Sequence, residues 1–381
     1  MLTNLRLRDF RCFEDLAVDL ARGANFFLGP NGHGKTTILE AACLLLRLQS
    51  QRISSLAPAI QIGKNSLGLD GIFDGHELEF RYGRLQRRVR FDGVEQRTFD
   101  EYLRIARVVS FANSDIELVR GGSDARRRYL DFLGAQINAT YRTTLRAYER
   151  ALRARNALLK SLTPRTRERV AYDSLLLRHG AQLLQLRKEI AAILAPLATT
   201  AYARVSGGRE NFELRLLSGA SDDFARDLAH SQKEETRLRQ TVVGPHRDDL
   251  AMLVDGMRAS QYASEGQQRS AALALKVAQA DAFQNFGDKA APLLLVDNIF
   301  GELDPERRNA LLDHLPVNSQ KLITPQPCRG GPRLRQTPST NCVIGNWCVC
   351  VGGEPKPRPP QPVIPSKCEG PRQYQRYPHL A

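Results

Sequence analysis

The sequence predicts an α/β fold in which a mixed β-sheet carries a phosphate-binding loop and an α-helical arm is inserted into the chain. Three observations support this prediction. A glycine-rich loop lies between a short apolar run and an apolar helix near the N-terminus, a second apolar run ends in a carboxylate at Asp297, and a Leu-, Ala- and Arg-rich stretch lies between them. Sheets of this kind bind ligands at the carboxyl ends of their strands.

The glycine-rich loop has the strand–loop–helix context of a nucleotide-binding loop. Residues 24–28 are expected to form the strand and residues 37–46 a buried helix. The candidate ATP-binding residues are Gly29, Pro30, Asn31, Gly32, His33, Gly34, Lys35, Thr36 and Thr37. Backbone N–H groups of such a loop, together with the positive end of the helix, bind phosphate. We expect Lys35 to reach the β- and γ-phosphates of ATP and the Thr36 hydroxyl to bind Mg²⁺.

The apolar run that ends at Asp297 is predicted to be a buried parallel strand. Residues 292–296 read Pro-Leu-Leu-Leu-Val and are followed directly by Asp297. Four apolar residues in a row are typical of a strand covered on both faces. A strand ending in Asp is a weak signal alone, but together with the phosphate-binding loop it predicts that Asp297 is a second Mg²⁺ ligand.

A third motif precedes an apolar helix predicted over residues 271–283. It comprises Ser264, Glu265, Gly266, Gln267 and Gln268. A hydroxyl and free N–H groups at a helix N-terminus can bind an anion, although a serine there is also a good helix cap. Its position some thirty residues before Asp297 favours the anion-binding interpretation.

The stretch over residues 126–200 contains few helix breakers and is predicted to form helical hairpins. Leu145, Tyr148 and Leu152 share one helix face, and the candidate DNA-binding residues share another. These candidates are Arg146, Arg150 and Arg153. Such a basic stripe is either a solvated face or a surface for nucleic acid.

Composition and charge limit the possible functions. Lys and Arg number 55 against 41 Asp and Glu, a net charge of +14, which favours a polyanionic partner such as DNA. Hydrophobic residues make up 42% and charged residues 25%, which excludes collagen-like, fully disordered and highly acidic classes. No run approaches eighteen apolar residues and residues 1–10 lack a secretory signal, so we expect a cytoplasmic protein without membrane contact.

Residues 325–381 differ in composition from the rest of the chain. They contain 12 of the 20 prolines and five of the seven cysteines. The Cys348 and Cys350 spacing matches no trusted zinc pattern. The abrupt change after Thr324 predicts a tail that is disordered or the product of a shifted reading frame, and Pro325 is expected to stop the preceding strand.

Together the motifs resemble the ABC-type ATPase head of the SMC proteins and, more narrowly, the RecF family of bacterial recombination mediators. Further segments similar to that family are residues 5–13 (LRLRDFRCF), 111–121 (FANSDIELVRG), 126–131 (RRRYLD) and 241–250 (TVVGPHRDDL). The resemblance covers about residues 1–324.

The resemblance implies an ATP-dependent homodimer with two nucleotides at its interface, in which the Ser264-to-Gln268 motif addresses the γ-phosphate held by the other subunit. It also implies binding to single-stranded DNA and single-strand/duplex junctions, action with RecO and RecR proteins, and recombinase loading. Glu302, Leu303 and Asp304 would form the D-loop. Asn298 stands where related ATPases have a catalytic carboxylate, and because an amide cannot accept a proton at neutral pH, ATP hydrolysis is expected to be slow or absent.

The implied domains are an ATPase head formed by residues 1–125 and 238–324, a helical arm over residues 126–237, and the tail over residues 325–381. Two alternatives remain open. An SMC-like structural ATPase would need long heptad repeats, which are absent, and a small-molecule P-loop kinase would bind a second substrate and show no salt-dependent affinity for DNA.

Overall fold

The computed structural model describes residues 1–30, 32–50, 55–83, 87–161, 166–285, 291–299, 315–316, 318–324, 342–344 and 347–351. The strands in these ranges are β1 (Leu2–Phe10), β2 (Phe13–Asp19), β3 (Ala24–Leu28), β4 (Ser66–Phe73), β5 (His76–Gly83), β6 (Arg87–Phe91), β7 (Val94–Glu95), β8 (Val108–Ala112), β9 (Phe212–Leu217), β10 (Asp249–Val254), β11 (Met257–Arg258), β12 (Leu293–Asp297), β13 (Lys321–Thr324), β14 (Cys342–Ile344) and β15 (Trp347–Val351).

The α-helices in the same ranges are α1 (Lys35–Arg47), α2 (Asp100–Arg104), α3 (Glu117–Arg120), α4 (Ser123–Ile137), α5 (Tyr141–Lys160), α6 (Thr166–Ser206), α7 (Phe224–His230), α8 (Gln232–Leu238), α9 (Ala259–Tyr262) and α10 (Glu265–Asn285). Short 3₁₀ helices lie at Ala57–Ala59, Asn113–Ile116 and Pro245–Arg247. None of the described helices is both long and apolar enough to cross a bilayer.

The first sheet is antiparallel and has the strand order β2-β1-β4-β5-β6-β7. Leu5 and Leu7 of β1 are buried and lie opposite Val18 and Leu16 of β2, whereas Arg6 between them is partly exposed. This alternation gives the sheet one apolar face. That face shares a hydrophobic cluster with α1.

The central sheet has the order β14-β15-β3-β13-β12-β8, in which β3, β13, β12 and β8 are parallel. Leu293 and Leu295 of β12 belong to the cluster that contains α1, and Leu294 and Val296 belong to the cluster that contains α10. Because helices cover both faces, the strand needs an uninterrupted apolar run. The predicted buried parallel strand with Asp297 at its carboxyl end is therefore confirmed.

Part of the tail forms a hairpin, β14 and β15, at the edge of the central sheet. β15 pairs antiparallel with β3, with Val349 opposite Phe27 and Cys350 opposite Phe26. The sequence predicts a tail that is disordered or the product of a shifted reading frame. These two segments have strand structure instead of disorder, whereas the shifted reading frame stays a prediction. The reason is tertiary, since the edge of β3 offers unpaired N–H and C=O groups that a short valine-containing run can satisfy.

The arm contains the predicted helical hairpins as α4, α5 and α6. Leu145, Tyr148 and Leu152 of α5 pack into the same cluster as α10, as their shared helix face predicts. α6 has 41 residues and ends just before Gly207 and Gly208, both of which have positive φ angles. Beyond this turn, β9 pairs with β10 in a three-stranded sheet, so the boundary proposed near residue 237 falls between two strands of one sheet.

Candidate nucleotide-binding site

The glycine loop joins the carboxyl end of β3 to the start of α1, as the sequence predicts. Gly32 and Gly34 have φ angles of 82° and 89°, in the left-handed region that favours glycine. Gly34 is also closely packed, because a Cβ atom built there would lie 2.5 Å from Cζ of Phe13 and 2.7 Å from Sγ of Cys12. The turn between β1 and β2 therefore lies directly against the loop.

Lys35 is the first residue of α1 and the main cation of the loop. Its Nζ donates hydrogen bonds to the backbone oxygens of Gly29 and Pro30, both at 2.7 Å. Burial lowers the pKa of Lys35, and the nearby charge of Asp297 opposes this effect. Both groups that accept its hydrogen bonds are neutral carbonyls. The positive charge of the ammonium group is therefore available to bind a terminal phosphate.

Thr36 and Asp297, which are 261 residues apart, meet at the carboxyl edge of the central sheet. Thr36 Oγ1 donates a hydrogen bond of 2.8 Å to Asp297 Oδ1, and Thr324 Oγ1 donates one of 2.7 Å to the same oxygen. Hydroxyl and carboxylate oxygens are the hard ligands that Mg²⁺ prefers. Mg²⁺ usually takes few protein ligands and completes its shell with phosphate oxygens and water, so this pair fits it.

Asn298 follows Asp297 and lines the same cavity. Its φ of 54° is left-handed, and its backbone N–H donates to Thr324 O at 2.9 Å. Its side-chain oxygen Oδ1 is buried and accepts no hydrogen bond from the described residues. This amide can therefore hold a water molecule as an acceptor, but it cannot take a proton from it.

These groups surround a cavity of about 670 Å³. Its lining includes the polar residues Asp297 and Asn298 and the apolar residues Pro58, Ile60 and Ile62. A cavity of this size, with both polar and apolar lining residues, suits a ligand that has both a phosphate chain and a flat ring system.

Sequence reasoning missed Arg11 and Thr324 as site residues. Arg11, in the turn between β1 and β2, lines the cavity. Its guanidinium is oriented by a bidentate contact with Glu40 of α1, at 3.1 Å from Nε and 2.9 Å from Nη2. The sequence predicts a strand over segment 5–13, whereas Arg11 lies in the turn after β1, and this turn brings it to the loop.

The Ser264-to-Gln268 motif begins α10 and has the geometry of a capping box. Ser264 N donates to Gln267 Oε1 at 2.7 Å, and Gln267 N donates to Ser264 Oγ at 3.3 Å. Arg120 Nε holds Gln268 Oε1 at 2.6 Å. Ser264 and Glu265 are exposed, and none of the five residues lines the cavity described above.

Comparisons with known proteins agree with this geometry. A family model described as an AAA domain matches residues 4–97. The DNA replication and repair protein RecF of Symbiobacterium thermophilum is 36% identical over 340 residues, which cover 85% of this chain and 90% of the relative. The RecF of Acidothermus cellulolyticus is 34% identical over 348 residues, with 85% and 93% covered.

The chain belongs to the RecF family. A solved structure of the recombination mediator protein RecF with ATP has a TM-score of 0.79 and 26% identity to it, and covers 87% of this chain and 93% of that chain. The predicted ABC-type α/β fold is thereby confirmed. The curated relatives cover 85% of the chain, which equals the fraction before the tail, 324 of 381 residues.

Within this RecF-family fold the structure brings together Lys35, Thr36, Asp297 and Asn298, with Thr37 and His33 beside them on α1 and its preceding loop. The three arginines of the basic stripe lie exposed on α5. Asn31, Glu302, Leu303 and Asp304 lie outside the described residues.

Proposed function

We propose that the chain binds ATP with Mg²⁺ in the cavity between α1 and β12 and acts in DNA replication and repair. The observation that carries the proposal is the hydrogen bond between Thr36 and Asp297, which joins the phosphate loop to the strand edge and places both beside Lys35. The relatives named DNA replication and repair protein RecF, and the RecF structure with ATP, support the same function.

ATP would act by joining two copies of the chain. The Ser264-to-Gln268 motif supports this part of the proposal, because its first residues are exposed at the N-terminus of a 21-residue helix yet lie away from the cavity of their own subunit. Backbone N–H groups in the first turn of a helix attract anions. In a dimer each motif would bind the γ-phosphate held by Lys35 of the partner, and hydrolysis would separate the subunits.

DNA would be bound through basic residues of the arm, including Arg146, Arg150 and Arg153. Arg153 contacts Glu149 at 3.7 Å, whereas Arg146 and Arg150 have no carboxylate partner among the described residues. The RecF structure is assigned to the RecFOR pathway. We therefore place this chain at single-stranded DNA and single-strand/duplex junctions, with RecO and RecR proteins as partners in recombinase loading.

The test is the affinity of the full chain for a fluorescent ATP analogue with Mg²⁺, compared with that of Lys35→Ala. Charged hydrogen bonds contribute about 1.5–3 kcal/mol each, so losing the contacts to the terminal phosphates should weaken binding about a hundredfold or more. Lys188→Ala, the same change at a partly exposed lysine of α6 that contacts Asp222 away from the cavity, is the matched control.

Equal affinities of Lys35→Ala, Lys188→Ala and the parent would remove the phosphate-loop assignment. Dimerisation is measured in the same samples by sedimentation with and without ATP. A chain that binds ATP and remains monomeric at micromolar concentration would contradict the proposed interface.

A further inference from the structure

One hydroxyl group at the carboxyl edge of the central sheet contacts both Asp297 and Asn298. It belongs to Thr324, the last residue of β13, which lies in parallel register beside Asp297. Thr324 Oγ1 is 2.7 Å from Asp297 Oδ1 and 3.1 Å from the backbone nitrogen of Asn298. The residue is 1% exposed and lines the nucleotide cavity. A single buried hydroxyl therefore links the carboxylate to the residue that follows it.

The chemistry of these groups determines the direction of both hydrogen bonds. A backbone N–H can only donate, so Thr324 Oγ1 accepts from Asn298. A threonine hydroxyl has one proton and an ionised carboxylate can only accept, so that proton points to Asp297 Oδ1. Thr36 Oγ1 donates to the same oxygen at 2.8 Å. Oδ1 thus receives two hydrogen bonds, whereas Oδ2 receives none from the described residues.

Both hydroxyl donors are neutral, which suits a carboxylate that binds a cation. A lysine or arginine in the same place would also hold Asp297, but it would offset the negative charge that attracts Mg²⁺. The arm has that second arrangement, since Arg187 contacts Asp131 and Asp248 directly. At the sheet edge the carboxylate is oriented while its charge remains available to an ion.

The two donors differ in where they lie and in what else they do. Thr36 lies in the first turn of α1, and its oxygen is also a proposed ligand of Mg²⁺. Thr324 lies on β13, which pairs with β12 on one side and with β3 on the other. A strand paired on both sides gives an orienting group a rigid support. The Thr324 hydroxyl therefore has the better placement for orienting the carboxylate.

We propose that Thr324 is a positioning residue for the Mg²⁺ site. Its hydroxyl holds Asp297 so that Oδ2 stays available to the ion, and it holds the backbone of Asn298 beside the same cavity. The inference rests on the proposed binding of ATP with Mg²⁺ and names the residue that orients the carboxylate. Groups that orient metal ligands typically contribute about ten- to a hundredfold to metal affinity.

The experiment measures the affinity of the full chain for a fluorescent ATP analogue twice, with Mg²⁺ and with EDTA in its place. The ratio of the two affinities is the gain that Mg²⁺ provides. Thr324→Val removes the hydroxyl, keeps a branched side chain that suits a strand, and leaves Asn298 N bonded to the backbone oxygen of residue 324 at 2.9 Å. It should lower the gain about tenfold or more. Thr324→Ser keeps the hydroxyl and should keep the gain.

Thr144→Val on α5 makes the same change at another buried threonine and should behave as the parent. If Thr324→Val shows the same gain as this control, the hydroxyl does not orient the carboxylate. The inference then fails and the proposed function stands. If the parent itself binds the analogue no better with Mg²⁺ than with EDTA, the proposed Mg²⁺ site fails, and the inference fails with it.

A purely structural role for Thr324 gives a different result. It would weaken binding equally with Mg²⁺ and with EDTA and leave the gain unchanged, which would overturn the inference. Folding is checked separately by urea unfolding. If Thr324→Val does not fold, Thr324→Ala decides, because it removes the same hydroxyl without placing a methyl group there. A gain lowered about tenfold in Thr324→Ala, beside a retained gain in Thr324→Ser, would support the inference, and an unchanged gain would overturn it.

Discussion

The nucleotide cavity and the buried cluster around Arg187 in the arm both bring together charged residues that are distant in the sequence. They differ in the partners of the cation, which are neutral in the cavity and negatively charged in the arm. In the cavity, Lys35 contacts two neutral backbone oxygens and faces open space. In the arm, Arg187 is 2% exposed and contacts Asp131 at 2.7 Å and Asp248 at 2.8 Å.

A second arginine of the arm repeats the pattern. Arg155 is 1% exposed and contacts Asp173 at 2.5 Å, Glu235 at 2.6 Å and the hydroxyl of Thr241 at 2.8 Å. Desolvating a charge is costly unless partners compensate for it inside the protein. The difference teaches that charges with partners hold this fold together, and charges that face only neutral groups remain for a ligand. Segment 241–250, which resembles a family motif, supplies partners of the first kind, because Thr241 contacts Arg155 and Asp248 contacts Arg187.

The largest expected effect comes from adding a charge to the cavity. Asn298→Asp should raise phosphate release from ATP in the presence of DNA by about a hundred- to ten-thousand-fold, the usual range for a general base. Asn298 has a left-handed backbone that Asp also tolerates, and its buried Oδ1 has no hydrogen-bond donor among the described residues. The new carboxylate would therefore be placed to accept a proton from water.

Asn298→Gly is the control, because it removes the acceptor without adding charge, tolerates the left-handed backbone and should bind ATP as the parent does. If Asn298→Asp binds ATP, dimerises and hydrolyses no faster than the parent, the base lies elsewhere. The unpartnered groups of the cavity would then explain ATP binding but not ATP hydrolysis.

The next largest effect is expected from removing the ion pairs of Arg187 in the arm. Arg187→Met keeps much of the volume but leaves the buried Asp248 and the half-buried Asp131 without their cation, which should lower the free energy of unfolding by about 3–5 kcal/mol. Urea unfolding followed by circular dichroism measures this. Adding Asp248→Asn should restore part of the loss, whereas Arg237→Met at an exposed site should change little. A loss below about 1 kcal/mol would show that this centre is not what holds the arm.

The sequence predicted the parts of the site that depend on short-range order. The strand–loop–helix over residues 24–46, the apolar run before Asp297 and the start of α10 each follow from local pattern, and the structure has all three. It did not predict that Thr324 donates to Asp297, because that contact depends on the parallel register of β12 and β13. Strand register and the pairing of Arg187 with Asp131, 56 residues away, are set by packing that one sequence does not display.

A smaller effect tests the arm through pH. His246 Nε2 donates to Thr241 O at 2.9 Å, and its Nδ1 accepts from Tyr148 Oη at 2.7 Å, which requires a neutral ring. Burial lowers the pKa of His246 to about 4, from 6.5 in the unfolded chain. Between these values only the unfolded state takes up the proton, so this stabilisation is complete above pH 6.5 and is lost as the pH falls toward 4. The loss amounts to about 3 kcal/mol at most.

The measurement is the unfolding free energy of the parent and of His246→Gln at pH 7 and pH 4.5. The gap between them should narrow at the lower pH. A gap for His246→Gln that widens as the pH falls would contradict the buried neutral ring.

The smallest effect separates two reasons for glycine in the phosphate loop. Gly32→Ala and Gly34→Ala both place a side chain at a left-handed φ, which should cost about 1–2 kcal/mol in each variant. Gly32 has open space around the new atom, whereas at Gly34 it meets Phe13 and Cys12. Overpacking adds about 1–3 kcal/mol, so Gly34→Ala should be the less stable variant by roughly that amount and should bind ATP more weakly.

Cys12→Ala in the Gly34→Ala background removes one of the two close contacts and should recover part of the difference, while leaving the backbone cost in place. This pair tests how the cavity is kept open. If the loop depends on backbone geometry rather than on charge pairing, both glycine variants should impair ATP binding without affecting the buried ion pairs of Arg187 in the arm. The integrity of the arm is measured by the pH dependence of the unfolding free energy, which should be the same in the glycine variants as in the parent. Equal stability of Gly32→Ala and Gly34→Ala would mean that the β1–β2 turn moves away from the loop at no cost. The packing of that turn against the loop would then not be what holds Arg11 at the cavity.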